Sequence, residues 1–325
     1  MDADHLAADV LRFFPLPGTV SLQRHRGGFS GALVWRIQGQ GGVFCLRAWP
    51  PAMQVATVHA VHALQLRAKQ AGLKFVPQPL PARNGNTTML EAGRVWELTT
   101  WMPGRADFHD RPSAVRLANA CRALAHLHGA WAERSGSAGP CPAVRRRLLR
   151  LHEWQRLVDA GWRPCFERCA DPSVRHWAEQ AWAPLAALTE PARLSLQPWT
   201  NVPLPLQPCL CDVWHDHVLF ENDVVSGLVD YGSVKTDHVA VDLARLLGSL
   251  VGDDAALRAA GLEAYQGARA ALSDQERQLI HVLDRTGTIV GAINWLRWLF
   301  LENRPFDNPA AVTRRLEALV SRMQP

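Results

Sequence analysis

Trp101-Met102-Pro103-Gly104 separates two kinds of pattern in this sequence, and that separation limits the fold more than any other feature. Before it, short apolar or alternating runs lie between glycine and proline turns: residues 32–37, 43–49, 87–90 and 94–100 read as strands. A single helical pattern lies among them, over 52–72, with Val55, Val58, Val61/His62, Leu64/Gln65 and Ala68 on one side and Gly72 as its stop. A short helix over 5–14 precedes them, ended by Pro15 and Pro17. After Gly104 the segments turn helical. The expected architecture is α+β, with a boundary at the breaker cluster: residues 1–103 form a small sheet domain and 104–325 a mostly helical one.

Helices are expected at 143–160 and 173–189, bracketed by Pro142, Pro164 and Pro191, and from Pro309 to Met323. Ser273 and Glu276 form a capping box for another. Leu117, Cys121, Leu124, Leu127 and His128 make the apolar stripe of the first helix after the breaker. The helical part is interrupted at 209–232 by Val218-Leu219-Phe220 and Gly227-Leu228-Val229, which flank the turn Glu221-Asn222-Asp223. Asp212 precedes this hairpin and Asp230 ends it. Hairpin closure is expected to bring the two carboxylates towards each other, an arrangement suited to metal and proton chemistry.

Composition narrows the class. A chain of 325 residues with 48% hydrophobic content can bury one large core or two moderate ones. Residues 6–14 are too short and too interrupted for a signal or a membrane span, so a soluble, cytoplasmic protein with no membrane partner is expected. Seven cysteines at irregular spacing do not make a disulfide framework, and Cys165/Cys169 and Cys209/Cys211 lack the usual spacing of a zinc site. The net charge of +5 comes from arginine. Arg145, Arg146, Arg147 and Arg150 read as a solvated helix face rather than a nucleic-acid patch, which would want interleaved aromatics.

Gly27, Gly28, Ser30 and Gly31 lie between two strands, and glycines there let backbone N–H groups approach phosphate oxygens, although a plain turn needs glycines too. The glycine loop, the breaker and the acid-strand-acid hairpin with its Asp242-Leu243-Ala244 tail together resemble the aminoglycoside phosphotransferase and choline kinase-like family, which has the protein-kinase-like two-lobe fold. The resemblance runs from about Gly27 to Val251. It implies an ATP-dependent kinase that phosphorylates a hydroxyl of a small molecule. Asp212 would be the catalytic acid that accepts or orients the hydroxyl proton, and Asp230 would hold Mg2+. Arg47 takes the place of the phosphate-binding lysine, Gly27, Gly28 and Ser30 cover the phosphates, and Leu98, Thr100 and Met102 line the adenine through the backbone. The Asp242 segment would brace the catalytic loop.

Several positions depart from the family pattern. Leu210 and Cys211 stand where the loop has histidine and glycine, and His217 where it has a metal-binding asparagine, a change that would favour softer ions such as Mn2+. Residues 51–90 contain no acid, so the helix offers His59 or His62 in place of its glutamate, and Arg47 is expected to be held by phosphate or by another acid, for which Glu97 is a candidate. Two other readings follow. One is a catalytically silent kinase-like binding protein. The other is a metal-dependent phosphohydrolase built on His215-Asp216-His217 with Asp230, Asp237 and His238. A cationic sugar or choline would call for an acidic groove, for which Asp237, Asp253, Asp254 and Glu263 are candidates that serve equally well as surface or capping residues. The oligomeric state is not readable.

Overall fold

The computed structural model describes residues 2–25, 28–132 and 137–324. The chain divides into two compact units: Met1–Trp131 with His215–Ser233, and Ala132–Trp214 with Val234–Pro325.

In the first unit, strands β1 (Ser21–His25), β2 (Leu33–Gly39), β3 (Gly42–Ala48), β4 (Thr88–Glu91) and β5 (Arg94–Thr100) form an antiparallel sheet in the order β1-β2-β3-β5-β4. The β2–β3 turn is set by the Gly39↔Gly42 pair, which leaves a two-residue loop. Alternation places Trp35, Ile37, Phe44, Leu46, Trp96 and Leu98 in one core cluster, with Trp35 and Trp96 stacked at 5.4 Å. Complete burial of a side chain such as Leu46 contributes about 2 kcal/mol. Helix α1 (Ala3–Leu11) covers this core with Ala7, Val10 and Leu11. It begins two residues earlier than its apolar pattern because Asp2 caps it, its carboxylate accepting the Asp4 N–H.

Helix α2 (Val55–Gln70) buries Val58, Val61, His62, Gln65 and Ala68 of the face read from spacing, and leaves Val55 and Leu64 half-buried. Helix α3 (Ala114–Trp131) buries the expected stripe and more, since it also packs on the strand Val224–Leu228. That strand pairs with Val218–Glu221, and Asn222 turns between them at φ +55. The breaker cluster is tied to this hairpin: Arg105 and Phe220 exchange backbone hydrogen bonds of 3.0 and 2.9 Å, and Ser226 Oγ donates to the Pro103 carbonyl at 2.7 Å. Gly104 is required at this crossing, with φ +93 and a Cβ that would lie 2.7 Å from the Phe220 oxygen.

The second unit is helical: α4 (Pro142–Asp159), α5 (Pro172–Trp182), α6 (Leu185–Leu196), α7 (Ala240–Leu250), α8 (Ala255–Ala268), α9 (Asp274–Phe300) and α10 (Pro309–Met323). The long α9, opened by the Ser273/Glu276 capping box, packs against α4, α5, α6, α7 and α10. Two expectations need correction. The 173–189 segment is two helices, because Pro184 interrupts the backbone pattern and becomes the N-cap position of α6, while Pro191 lies inside α6. The arginine run is only partly a solvated face: Arg146 donates to the buried Asp237 at 2.6 Å, and Arg147 reaches the Leu283 carbonyl and Thr286 Oγ1 on α9. Asp284, also buried on α9, accepts from Arg258 at 2.8 Å and Arg322 at 2.6 Å. Gly248 makes room for it, since a Cβ there would collide with the Asp284 carboxylate.

Candidate active site

Arg47 is the centre of the first unit's polar cluster. Its side chain, 16% exposed at the end of β3, donates from Nη1 to Asp230 Oδ1 at 3.2 Å and lies with Nε 3.8 Å from Glu97 Oε1. The guanidinium also sits 4.8 Å over the ring of Trp49. Burial disfavours the charged form, but Asp230 and Glu97 outweigh it and hold the Arg47 pKa above its ordinary value. Glu97 follows from register, because β3 and β5 place it directly opposite Arg47. Behind it, His62 Nε2 lies 2.6 Å from Glu97 Oε2 and His62 Nδ1 2.7 Å from Thr87 Oγ1. The helix histidine therefore anchors the acid rather than the arginine. His59 binds Thr88 Oγ1 at 2.8 Å.

Asp230 follows the hairpin in a left-handed conformation, φ +61, uncommon for a residue with a side chain and a frequent mark of functional sites. One carboxylate oxygen accepts from Arg47 and, at 3.2 Å, from the Gly232 N–H; the other lies 3.6 Å from His217 Nε2. Burial raises its pKa, but Arg47, His217 and the Gly232 bond outweigh that and leave it below the ordinary carboxylate range. An ionised carboxylate with oxygen donors suits a hard divalent cation, and the His217 ring adds a nitrogen beside it.

Of the phosphate loop, Gly27 lies outside the described residues. Gly28 has open space where a Cβ would be, and Gly31 combines φ +78 with the same openness, a backbone that leaves room for a phosphate to approach. Ser30 Oγ accepts the Ala32 N–H at 3.4 Å, and Arg94 fixes the end of the loop through the Gly31 carbonyl at 3.2 Å. In the hinge segment the Leu98 carbonyl accepts the Leu80 N–H and the Thr100 N–H donates to Gln78, so neither group is available to a purine. Met102 is buried at the end of the segment.

In the second unit, Asp212 Oδ1 accepts from Arg245 Nε at 2.9 Å, with 47% of the Asp212 side chain exposed. The preceding loop is held by buried Asp242, whose carboxylate oxygens accept the Leu210 N–H at 2.7 Å and the Cys211 N–H at 2.6 Å. Asp242 thus braces this loop, as the resemblance implied. Asp237 is consumed elsewhere, bonded to Arg146, Cys141 and the N–H groups of Ala143 and His238, while His238 Nε2 lies 2.9 Å from Glu276 Oε1. The phosphohydrolase reading loses those two ligands. Asp212 and Asp230 belong to different units.

Comparison with known proteins decides the family. The Phosphotransferase enzyme family profile matches residues 21–275, well over half of the sequence. The chain belongs to this family. A homoserine kinase from Beijerinckia indica subsp. indica is 30% identical over 66% of this chain, and the match spans 59% of that relative. Among solved structures, spectinomycin phosphotransferase APH(9)-Ia in complex with ADP and spectinomycin superposes with a TM-score of 0.68 at 9% identity, covering 99% of this chain and 98% of that one. Amicoumacin kinase hAmiN, in complex with AMP-PNP, Ca2+ and Ami, gives 0.64 at 10% identity over 99% of this chain and 94% of the other. The fold is therefore the expected kinase-like one.

Within this member of the family the departures acquire structural content. Cys211 adopts φ +63, so the backbone conformation that favours glycine persists without it. Sequence reasoning missed Arg245, whose position one residue after Asp242-Leu243-Ala244 was the available signal, and it missed the role of His62 behind Glu97.

Proposed function

We propose that this protein is an ATP-dependent phosphotransferase that transfers the γ-phosphoryl group to a hydroxyl of a small molecule. The observation that carries the reading is the Arg47–Asp230 pair at 3.2 Å, which sets a strand cation beside a low-pKa carboxylate in a chain of the Phosphotransferase enzyme family. Arg47, oriented by Glu97, would bind nucleotide phosphate oxygens through its planar fork. Asp230 and His217 are the proposed ligands of Mg2+ or Mn2+; a divalent ion there neutralises phosphate charge. Gly27, Gly28 and Ser30 are proposed to cover the phosphates, and the 98–102 segment to line the base through the Thr100 side chain and the Met102 backbone, with the Leu98 side chain packed in the core behind it. Asp212 is proposed to orient the acceptor hydroxyl and receive its proton. Its bond to Arg245 keeps one carboxylate oxygen occupied and fixes the other's direction.

The homoserine kinases among the relatives make a hydroxy amino acid the first acceptor to assay. The test is ADP release by purified protein with ATP, Mg2+ or Mn2+ and a panel of hydroxy amino acids, amino alcohols and aminosugars. A thermal shift with ATP and metal, together with turnover that Asp212→Asn lowers about 10²–10⁴-fold, is expected. Absence of any nucleotide response with either metal would remove the reading, and full activity in Asp212→Asn would remove the assignment of the base.

A further inference from the structure

His238 closes the first turn of α7, the helix that carries both Asp242 and Arg245. Val239 stands at the N-cap position of that helix and makes no side-chain cap bond. The residue before it supplies one instead: His238 Nδ1 accepts the Ala240 N–H at 3.2 Å, and the His238 carbonyl accepts the Val241 N–H at 3.0 Å. An Nδ1 that accepts a backbone N–H carries no proton, so the ring is the Nε2–H tautomer. Nε2 then donates to Glu276 Oε1 at 2.9 Å. All of these residues, with Leu210, Cys211 and Asp212, belong to the second unit. We propose that His238 is a positioning residue for the Asp212 loop: its neutral ring holds the start of α7, and protonation at Nδ1 releases that turn and the loop with it. This rests on the phosphotransferase reading above, in which Asp212 receives the acceptor's proton.

Geometry gives the route. Asp242 lies in the turn that His238 holds, its own N–H bonded to the Val239 carbonyl at 3.2 Å, and its carboxylate fixes Leu210 and Cys211. Arg245 follows on the same helix and donates to Asp212. A protonated imidazole has donors on both nitrogens, so Nδ1–H would face the Ala240 N–H with no acceptor between them. The positive end of the helix dipole opposes a cation at that place as well.

The charges around the ring agree with a neutral form. Glu276 on α9 and the adjacent Asp237, itself paired with Arg146, favour the charged ring, while Arg269 beyond α8 opposes it. Burial of a side chain only 1% exposed outweighs the two acids and holds the His238 pKa below its ordinary value. The unfolded chain therefore takes up this proton first. Stability that is complete above the unfolded value near ~6.5 falls as pH drops through it towards the lower folded value.

The experiment follows the pH profile of kcat/KM and the amide hydrogen exchange of residues 209–212, corrected for intrinsic rate, in wild type, His238→Leu and His238→Asn. Asparagine keeps a side-chain oxygen for the N–H two residues on and does not titrate. His238→Leu should lower kcat/KM about tenfold at neutral pH, the rate equivalent of one lost hydrogen bond, and His238→Asn should recover most of that loss. Wild-type activity and the protection of the Leu210 and Cys211 amides should fall together below about pH 6.5, whereas the asparagine variant stays flat through the same interval. Melting temperatures report whether each variant folds. Wild-type and asparagine profiles that superimpose in activity and exchange, or full activity with unchanged loop protection in His238→Leu, would overturn the proposal. Absence of turnover in all three proteins, with the exchange pattern as expected, would remove the phosphotransferase reading and leave the link from His238 to the loop standing.

Discussion

Asp242 Oδ1 accepts the Cys211 N–H at 2.6 Å, and its other oxygen takes the N–H of Leu210. One buried carboxylate thus fixes the two residues that precede Asp212. Asp242→Ala leaves two backbone donors without this acceptor and is expected to lower unfolding stability by about 3 kcal/mol, read from the urea midpoint.

The left-handed backbone of Cys211 leads to a separate expectation. A Cβ at φ +63 costs roughly 1 kcal/mol that glycine would not. Cys211→Gly should therefore melt no lower than the wild type, whereas the β-branched Cys211→Val should melt several degrees lower in the same scan.

Glu97 links Arg47 to His62, so the two sides of the acid are separable. Truncation of His62 to alanine removes a 2.6 Å partner from a carboxylate with only 7% of its side chain exposed, and should cost about 2 kcal/mol of stability. Glu97→Gln keeps the shape while it weakens the orientation of Arg47. Its expected signature is a KM for ATP raised about tenfold, measured with acceptor at saturation.

Acid titration tests Asp230. Its pKa is depressed in the folded protein, so its contribution to stability is complete above the unfolded-state value near ~3.9 and is lost as pH falls through the lower folded value. Wild-type melting temperature should fall more steeply below about pH 4 than that of Asp230→Asn. Parallel curves for the two proteins would contradict the Arg47 pairing.

The capping box at the start of α9 gives a control remote from the candidate site. Ser273 Oγ accepts the Glu276 N–H at 3.2 Å, and the Glu276 carboxylate returns to the Ser273 N–H at 2.8 Å. Ser273→Ala should cost about 1 kcal/mol, visible as a small drop in melting temperature with turnover unaltered.

The elements that could be read in advance are those specified by neighbours in the chain. The β2–β3 turn, the buried face of α2, the hairpin turn at Asn222 and the capping box of α9 all depend on residues within a few positions of one another, where side-chain period and turn chemistry act. Pro184 shows how fine that reading must be, since one imide nitrogen made two helices of an expected single one.

The sequence alone separated the strands from the helices at the breaker cluster and set Asp212 and Asp230 at the two ends of a hairpin, because periodicity, breakers and turn chemistry are local properties of a chain, and the kinase-like expectation came from the resemblance those motifs carry. Tertiary structure decided what each acid and cation touches. Arg47 and Asp230 are 183 residues apart and His62 and Glu97 are 35 apart, and no periodicity relates them. Register across β3 and β5 put Glu97 opposite Arg47, and packing of α7 and α10 gathered Arg245 and Arg315 on Trp214. Electrostatic pairing depends on distance in space, which only the folded chain defines.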